Sequence, residues 1–337
     1  MQNEKKYLRV TGVLLVLLII ISITSLFIGR YTLPFSELLN GLLHDGCNCS
    51  PDTGLSVISD LRLPRVIAVM MVGAGLSVAG CTYQAVLRNA LASPDVLGTS
   101  SAAAFGAALG ILLGLPLPLS AFSSFISGIV SLFCVMSLCH LKKNYGELTT
   151  ILSGIIVASV FMSFVSITKY VADPQDQLPA IVFWLMGSFA SLVKGQVYGL
   201  IPLFVLCYLV IYRLRWKINV LSLGDDEAKI AGMDPQWLKA VLLITASVLV
   251  AASVTIAGVV GWVGLVIPHL VRTLVGCNHG KLIPASALCG ALFLLIIDNI
   301  ARTMTYAEIP IGILTALIGA PLFAVLFIMS NRHDRSE

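Results

Sequence analysis

Residues 238–260 read LKAVLLITASVLVAASVTIAGVV, a run in which Lys239 is the only charged side chain. A bilayer core about 30 Å thick is crossed by about 20 apolar residues in helical form, so this stretch predicts a membrane-crossing helix. Further apolar stretches flank it on both sides, at residues 10–28, 66–87, 96–115, 119–141, 148–171, 197–214, 262–275, 282–300 and 311–329. The reading is therefore an all-α polytopic membrane protein of about ten transmembrane helices. The stretch at 262–275 is short and contains Pro268, which predicts a helix that is tilted, broken or packed behind others, because irregular backbone at membrane depth needs protein or water around it.

Composition agrees. Of 337 residues, 58% are hydrophobic and 11% charged, against about 25% charged in an ordinary soluble domain, and mean hydropathy is +0.95. The formal net charge of +4 is too thinly spread to coat a nucleic acid, and is better read as topology. With the N-terminus inside, Arg30, Arg62, Arg65, Lys169, Lys194 and Arg302 fall outside and the other Lys and Arg of the 21 fall inside. The positive-inside rule supports that orientation, and an even number of spans returns the C-terminus to the cytoplasm. The whole of residues 1–337 reads as a single transmembrane domain whose only substantial cytoplasmic connection is 215–237. The stretch 10–28 is too long for a signal core and lacks a small-x-small cleavage site, so it reads as a retained helix. On the outer side, residues 181–190 read as a helix lying in the interface.

The polar residues suggest where chemistry or partners could lie. Leu223-Gly224-Asp225-Asp226-Glu227-Ala228 opens a short helix, with acids favoured at its N-terminus and Gly232 then Pro235 ending it. It reads either as a solvated connector or as a docking surface for a cytoplasmic partner. An aspartate-rich magnesium site is a further reading, though only one acidic cluster is present. Gly73, Ser77 and Gly80 are small residues that let another helix come close. Arg62 and Arg65 read as snorkelling anchors or as a cationic rim for an acidic partner. Asp298 and Arg302 stand four apart, on one helix face, as an ion pair; a proton or sodium relay is the competing reading of Asp298. His269 has no second ligand at helical spacing, so no metal site is expected. Eight cysteines lack zinc-type spacing, and a bridge between Cys47 and Cys49 would be strained, so no structural disulfide is expected. Gly276-Cys277-Asn278-His279-Gly280-Lys281-Leu282 is too short for a phosphate-binding loop and lacks its closing hydroxyl residue. The chain is not expected to bind ATP, to need a cofactor or to be an enzyme by itself.

Taken together, Arg62-Leu63-Pro64-Arg65, the stretch from Gly73 to Gln84, Asn89-Ala90-Leu91-Ala92-Ser93-Pro94-Asp95-Val96-Leu97-Gly98, the acidic loop at 223–228, Gly264-Leu265-Val266-Ile267-Pro268-His269 and Glu308-Ile309-Pro310-Ile311-Gly312 resemble, in order, the permease subunits of the iron-siderophore, haem and vitamin B12 class of ABC importers. The resemblance implies a bacterial inner-membrane permease that pairs with a second copy or a related permease. Two cytoplasmic ATPase subunits would lie below and a substrate-binding protein above. It further implies that Leu223, Gly224, Asp225, Asp226, Glu227, Ala228 and Gly232 form the ATPase-coupling element. By the same likeness Arg62, Arg65 and Arg302 face the binding protein, and Asn89, Leu91, Thr149 and Thr150 form a gate. An iron(III)-siderophore is the favoured cargo, with haem or cobalamin as alternatives in the same class and an ion-driven transporter using Asp298 as the alternative outside it. Where the family commonly has Asn-Pro-Leu-Ala, this chain has Asn89-Ala90-Leu91-Ala92, which removes the rigidity a proline would impose.

Overall fold

The computed structural model describes residues 2–28, 57–142 and 146–333, and every regular element among them is helical. Helix α1 is Gln2–Phe27. A π-helical turn, Val57–Arg62, runs directly into α2, Leu63–Val86, and a 3-10 turn, Pro94–Leu97, leads into α3, Thr99–Leu112. There follow α4 (Leu117–Leu141), α5 (Glu147–Val171), the short α6 (Gln177–Leu185), α7 (Lys194–Leu221), the short α8 (Asp225–Ile230), α9 (Pro235–Ala257), α10 (Val263–Val275), α11 (His279–Thr303) and α12 (Ile311–His333).

Each of the ten apolar stretches is helical, but they are not alike. Among the described residues, seven helices have the length and composition to cross a membrane, while Thr99–Leu112, Val263–Val275 and Ile311–Leu326 are shorter apolar helices. At about 1.5 Å per residue, α3 and α10 each rise about 20 Å, less than a full hydrocarbon core.

Helix α2 is the axis of the bundle, packed on α7, α9, α10 and α11, and its composition explains how it can be. A β-carbon at Gly73 would land on the carbonyl of Gly290, and one at Gly80 on the carbonyl of Gly264. These glycines therefore set the contacts of α2 with α11 and α10, as small residues do where backbones pack directly. Polar groups on this buried helix are satisfied locally: Thr82 donates to the Val78 carbonyl at 2.8 Å, and the Tyr83 hydroxyl lies 2.8 Å from that of Ser247.

The irregular backbone before α10 is held by its neighbours. Gly258 and Trp262 both have positive φ, 68° and 69°. Nearby, the Ser188 amide donates to Ala257 at 2.9 Å, and the amides of Ile311 and Gly312 donate to Gly187 and Met186 at 2.9 and 3.0 Å. These non-helical segments thus satisfy one another's backbone groups, and α10 with Pro268 follows them.

The expected interfacial helix is displaced. It spans Gln177–Leu185 rather than 181–190, because Pro179 fits a first helical turn and Gly187, at φ 75°, lies beyond its end. Ile181 anchors it against Ala108 and Ala172. Cys47, Cys49, Arg30 and Lys143 lie outside the described residues.

Candidate functional site

The polar residues gather at the two ends of α2. At its C-terminal end the chain leaves the helix through Arg88, whose φ of 43° is unusual for a residue with a side chain. The Arg88 guanidinium pairs with Glu147, the first residue of α5, and stands 3.9 Å from Asp225, the first residue of α8. Lys239 of α9 donates to the same Asp225 carboxylate at 2.7 Å. Asp225 therefore joins the start of α8 to α9 directly, and Arg88 links it to the start of α5.

The rest of α8 divides into an anchored and a free side. Ala228 is fully buried, whereas Leu223 is 72% and Ile230 87% exposed, and Asp226 faces outward in a 3.0 Å pair with Lys229. The turn at its start is closed by Gly224, and Gly232, at φ 75°, ends it. Two exposed aliphatic side chains beside exposed acids make a small amphipathic platform.

Of the four expected gate residues, Asn89 and Leu91 lie on the turn after α2, where the Asn89 side chain accepts from the Leu91 amide at 2.9 Å. This Asx-type turn holds the loop without a proline at position 90, and Leu91 is exposed. Thr149 and Thr150 are buried; the Thr150 hydroxyl donates to the Gly146 carbonyl at 3.1 Å and lies 3.8 Å from the Cys139 sulfur. The Arg88–Glu147 pair joins the two halves, while the Thr150 hydroxyl lies beside Cys139 of α4.

At the opposite end of α2 the three arginines are engaged by partners within the chain. Arg65 Nη2 lies 2.8 Å from Asp298 and 2.8 Å from Glu308, and Arg302 Nε lies 3.1 Å from the same Asp298. Asp298 is wholly buried and Arg302 nearly so. Arg62, also buried, donates to the carbonyls of Leu26 and Phe27 at 2.7 and 2.9 Å, and Arg302 donates to Ser25 Oγ at 2.6 Å. Guanidinium groups thus satisfy the carbonyls that end α1, where helix geometry leaves acceptors unpaired and favours positive charge. All three arginines turn inward because the buried carboxylate and these carbonyls require them. Asp298, held between two cations, has the environment of a structural ion pair. A cleft of about 260 Å³ lined by Asp60, Arg62, Arg65, Lys194, Arg302 and Glu308 opens over this clasp.

Sequence reasoning missed Arg88, Glu147, Lys239 and Glu308 as network members and Ile230 as part of the platform. Lys239 carried a signal, since it is the lone charge in an apolar run and a buried cation demands a carboxylate.

Residues 16–329 match the FecCD transport family. The molybdate import system permease protein MolB of Haemophilus influenzae is 40% identical over 332 residues, covering 98% of this chain and 98% of that protein. The hemin transport system permease protein HmuU of Yersinia pestis is 34% identical over 332 residues, covering 96% of each. Among solved structures, a metal-chelate type ABC transporter in an inward-facing conformation superposes with a TM-score of 0.86 at 40% identity, covering 95% of this chain and 99% of that one.

Proposed function

The chain belongs to the FecCD transport family and is a multi-pass membrane permease of an ABC importer, and from that premise we propose how it works. It crosses the bacterial cytoplasmic membrane ten times with both termini inside, and pairs with a second copy or a related permease around a shared pathway. Two ATPase subunits dock from the cytoplasm on α8, and a substrate-binding protein delivers cargo at the clasp end.

The observation that carries this reading is the Asp225 junction. A partner that grips Leu223, Asp226, Glu227 and Ile230 pulls on a helix whose first carboxylate holds Lys239 at 2.7 Å and lies 3.9 Å from Arg88. Arg88 in turn holds Glu147. A movement of α8 is thereby passed to α9, to the Asn89–Leu91 turn and to the start of α5, the elements assigned to the gate. Thr149 and Thr150 serve that gate by packing α5 on α4, and Gly232 sets where α8 stops.

At the far end, Arg62, Arg65 and Arg302 support binding-protein docking indirectly. They fix α1, α11 and Glu308 around the 260 Å³ cleft, and acidic side chains of the binding protein meet the edges of Arg65 and Lys194 there.

For the cargo, the full-length likeness to a molybdate permease favours a compact metal oxyanion as the first reading. An iron(III)-siderophore, or haem as in the Yersinia pestis relative, is the second. The exposed face of α5 supports passage of either, since Ser159, Ser163 and Ser166 spend their hydroxyl protons on their own helix at 2.8, 2.9 and 3.0 Å. These three hydroxyls add no fixed charge to that face. Uptake of radiolabelled molybdate and of iron(III)-siderophore by proteoliposomes carrying the full importer tests the choice: saturable molybdate uptake supports the first reading, and siderophore uptake alone replaces it with the second.

A further inference from the structure

Between α1, α2, α7 and α11 the bundle leaves a cleft of about 530 Å³ that none of the roles above uses. Its walls are apolar: Leu18 from α1, Met71 and Gly75 from α2, Phe204 and Leu209 from α7, and Leu288 from α11. Leu209 is half exposed, and α1 and α7 are the least buried of the long apolar helices, so the cleft opens sideways to the bilayer. A hydrocarbon chain matches such a space; a water-soluble ligand would lose its hydration without gaining a polar partner.

The chemistry changes at one end. Tyr208, on the cleft wall, stacks on Tyr212 with ring centroids 5.9 Å apart, and the Arg215 guanidinium lies 3.8 Å from the Tyr212 ring centroid. Lys281 of α11 stands 5.7 Å from the ring centroid of Tyr7 on α1. The helix ends meet there, because the His279 amide donates to Asn219 Oδ1 at 2.8 Å. This is the α8 end of the bundle. Neither Arg215 nor Lys281 has a carboxylate within ion-pair distance among the described residues, while Lys5, Lys6 and Arg9 stand exposed around Tyr7. Cations over aromatic rings at the end of an apolar slot complement a phosphate whose acyl chain fills the slot.

We propose that this cleft is a binding site for an anionic phospholipid, with an acyl chain between α1, α2, α7 and α11 and the phosphate held by Arg215 and Lys281. The site is separate from the Asp225 junction and from the clasp.

The test uses the full-length permease in its native assembly, stripped of lipid and titrated with phosphatidylglycerol or phosphatidylcholine of matched chains, with retained lipid read by native mass spectrometry. Preferential retention of phosphatidylglycerol is expected, falling about fivefold for each of Arg215→Gln and Lys281→Gln, as one surface cation contributes about 1 kcal/mol. Ala74→Trp, which fills the cleft, abolishes retention of both lipids, and an unchanged thermal midpoint in detergent shows that this variant is folded. Equal retention of the two lipids, or a phosphatidylglycerol preference that survives the double Gln variant, overturns the proposal and leaves annular lipid only. A disulfide between Val205→Cys of two copies also overturns it, since a second permease would then cover the cleft.

Discussion

Lys239 donates to Asp225 at 2.7 Å from a side chain that is 4% exposed, whereas the carboxylate it holds is 35% exposed. The two partners are therefore not equivalent. Asp225→Asn leaves a buried ammonium with no opposite charge, while Lys239→Met leaves a carboxylate that water can reach. Loss of one partner from a buried pair costs about 3–5 kcal/mol, and partial exposure of Asp225 puts this pair at or below the lower bound. Thermal unfolding in detergent is expected to rank Asp225→Asn as more destabilising than Lys239→Met, with the double variant partly restored. Equal losses would mean that the pair carries no buried charge.

Ile230 and Leu223 are exposed at the face assigned to the ATPase. Aliphatic anchors at the centre of an interface commonly contribute more than 1 kcal/mol each. Ile230→Asp should weaken co-purification of the ATPase subunit by about tenfold or more while leaving the permease monodisperse. Undiminished capture of the ATPase would remove Ile230 from the platform.

The clasp makes a different forecast. Asp298→Asn removes the wholly buried carboxylate held between Arg65 and Arg302, and is expected to lower stability by about 3–5 kcal/mol without introducing or abolishing any dependence of uptake on a sodium or proton gradient. Charge reversal at Arg65 should likewise show first as unfolding, measured by the detergent melting midpoint. A stable Asp298→Asn protein that has lost only gradient-driven uptake would favour the relay reading of this acid.

Gly80 and Gly12 offer a matched pair. A β-carbon at Gly80 meets the Gly264 carbonyl, but nothing lies within 4 Å of one at Gly12. Gly80→Ala should reduce the yield of folded permease sharply, and Gly12→Ala should raise or leave unchanged the melting midpoint, since alanine is the better helix former by about 1 kcal/mol. Equal tolerance at both positions would contradict the close α2–α10 approach.

How far the residues alone reveal this molecule depends on the range of each interaction. The α8 helix is legible because acids, Ala228 and Gly232 follow one another locally. The Asp298–Arg302 pair is legible because four residues make one helical turn. The third member of that cluster, Arg65, is 233 positions from Asp298, and no local pattern announces it. Rotation about a helix axis is equally hidden at an isolated position: Thr149 and Thr150 lie in the first turn of α5, and it is the packing of α4 that sets the Thr150 hydroxyl beside Cys139. The displaced α6 shows a third limit: the apolar run at 181–190 sets the expectation, whereas the helix takes in Gln177, Leu178 and Pro179 in its first turn.

We propose that α8 receives the stroke of a separate ATPase, and cargo accumulation in proteoliposomes, with and without the ATPase subunits and in the presence of ATP, is the decisive measurement. Uphill uptake is expected only when the ATPase is present, and uptake is lost with ATP hydrolysis retained when Asp226 and Glu227 are both changed to Lys. Uphill uptake by the permease alone would refute this reading.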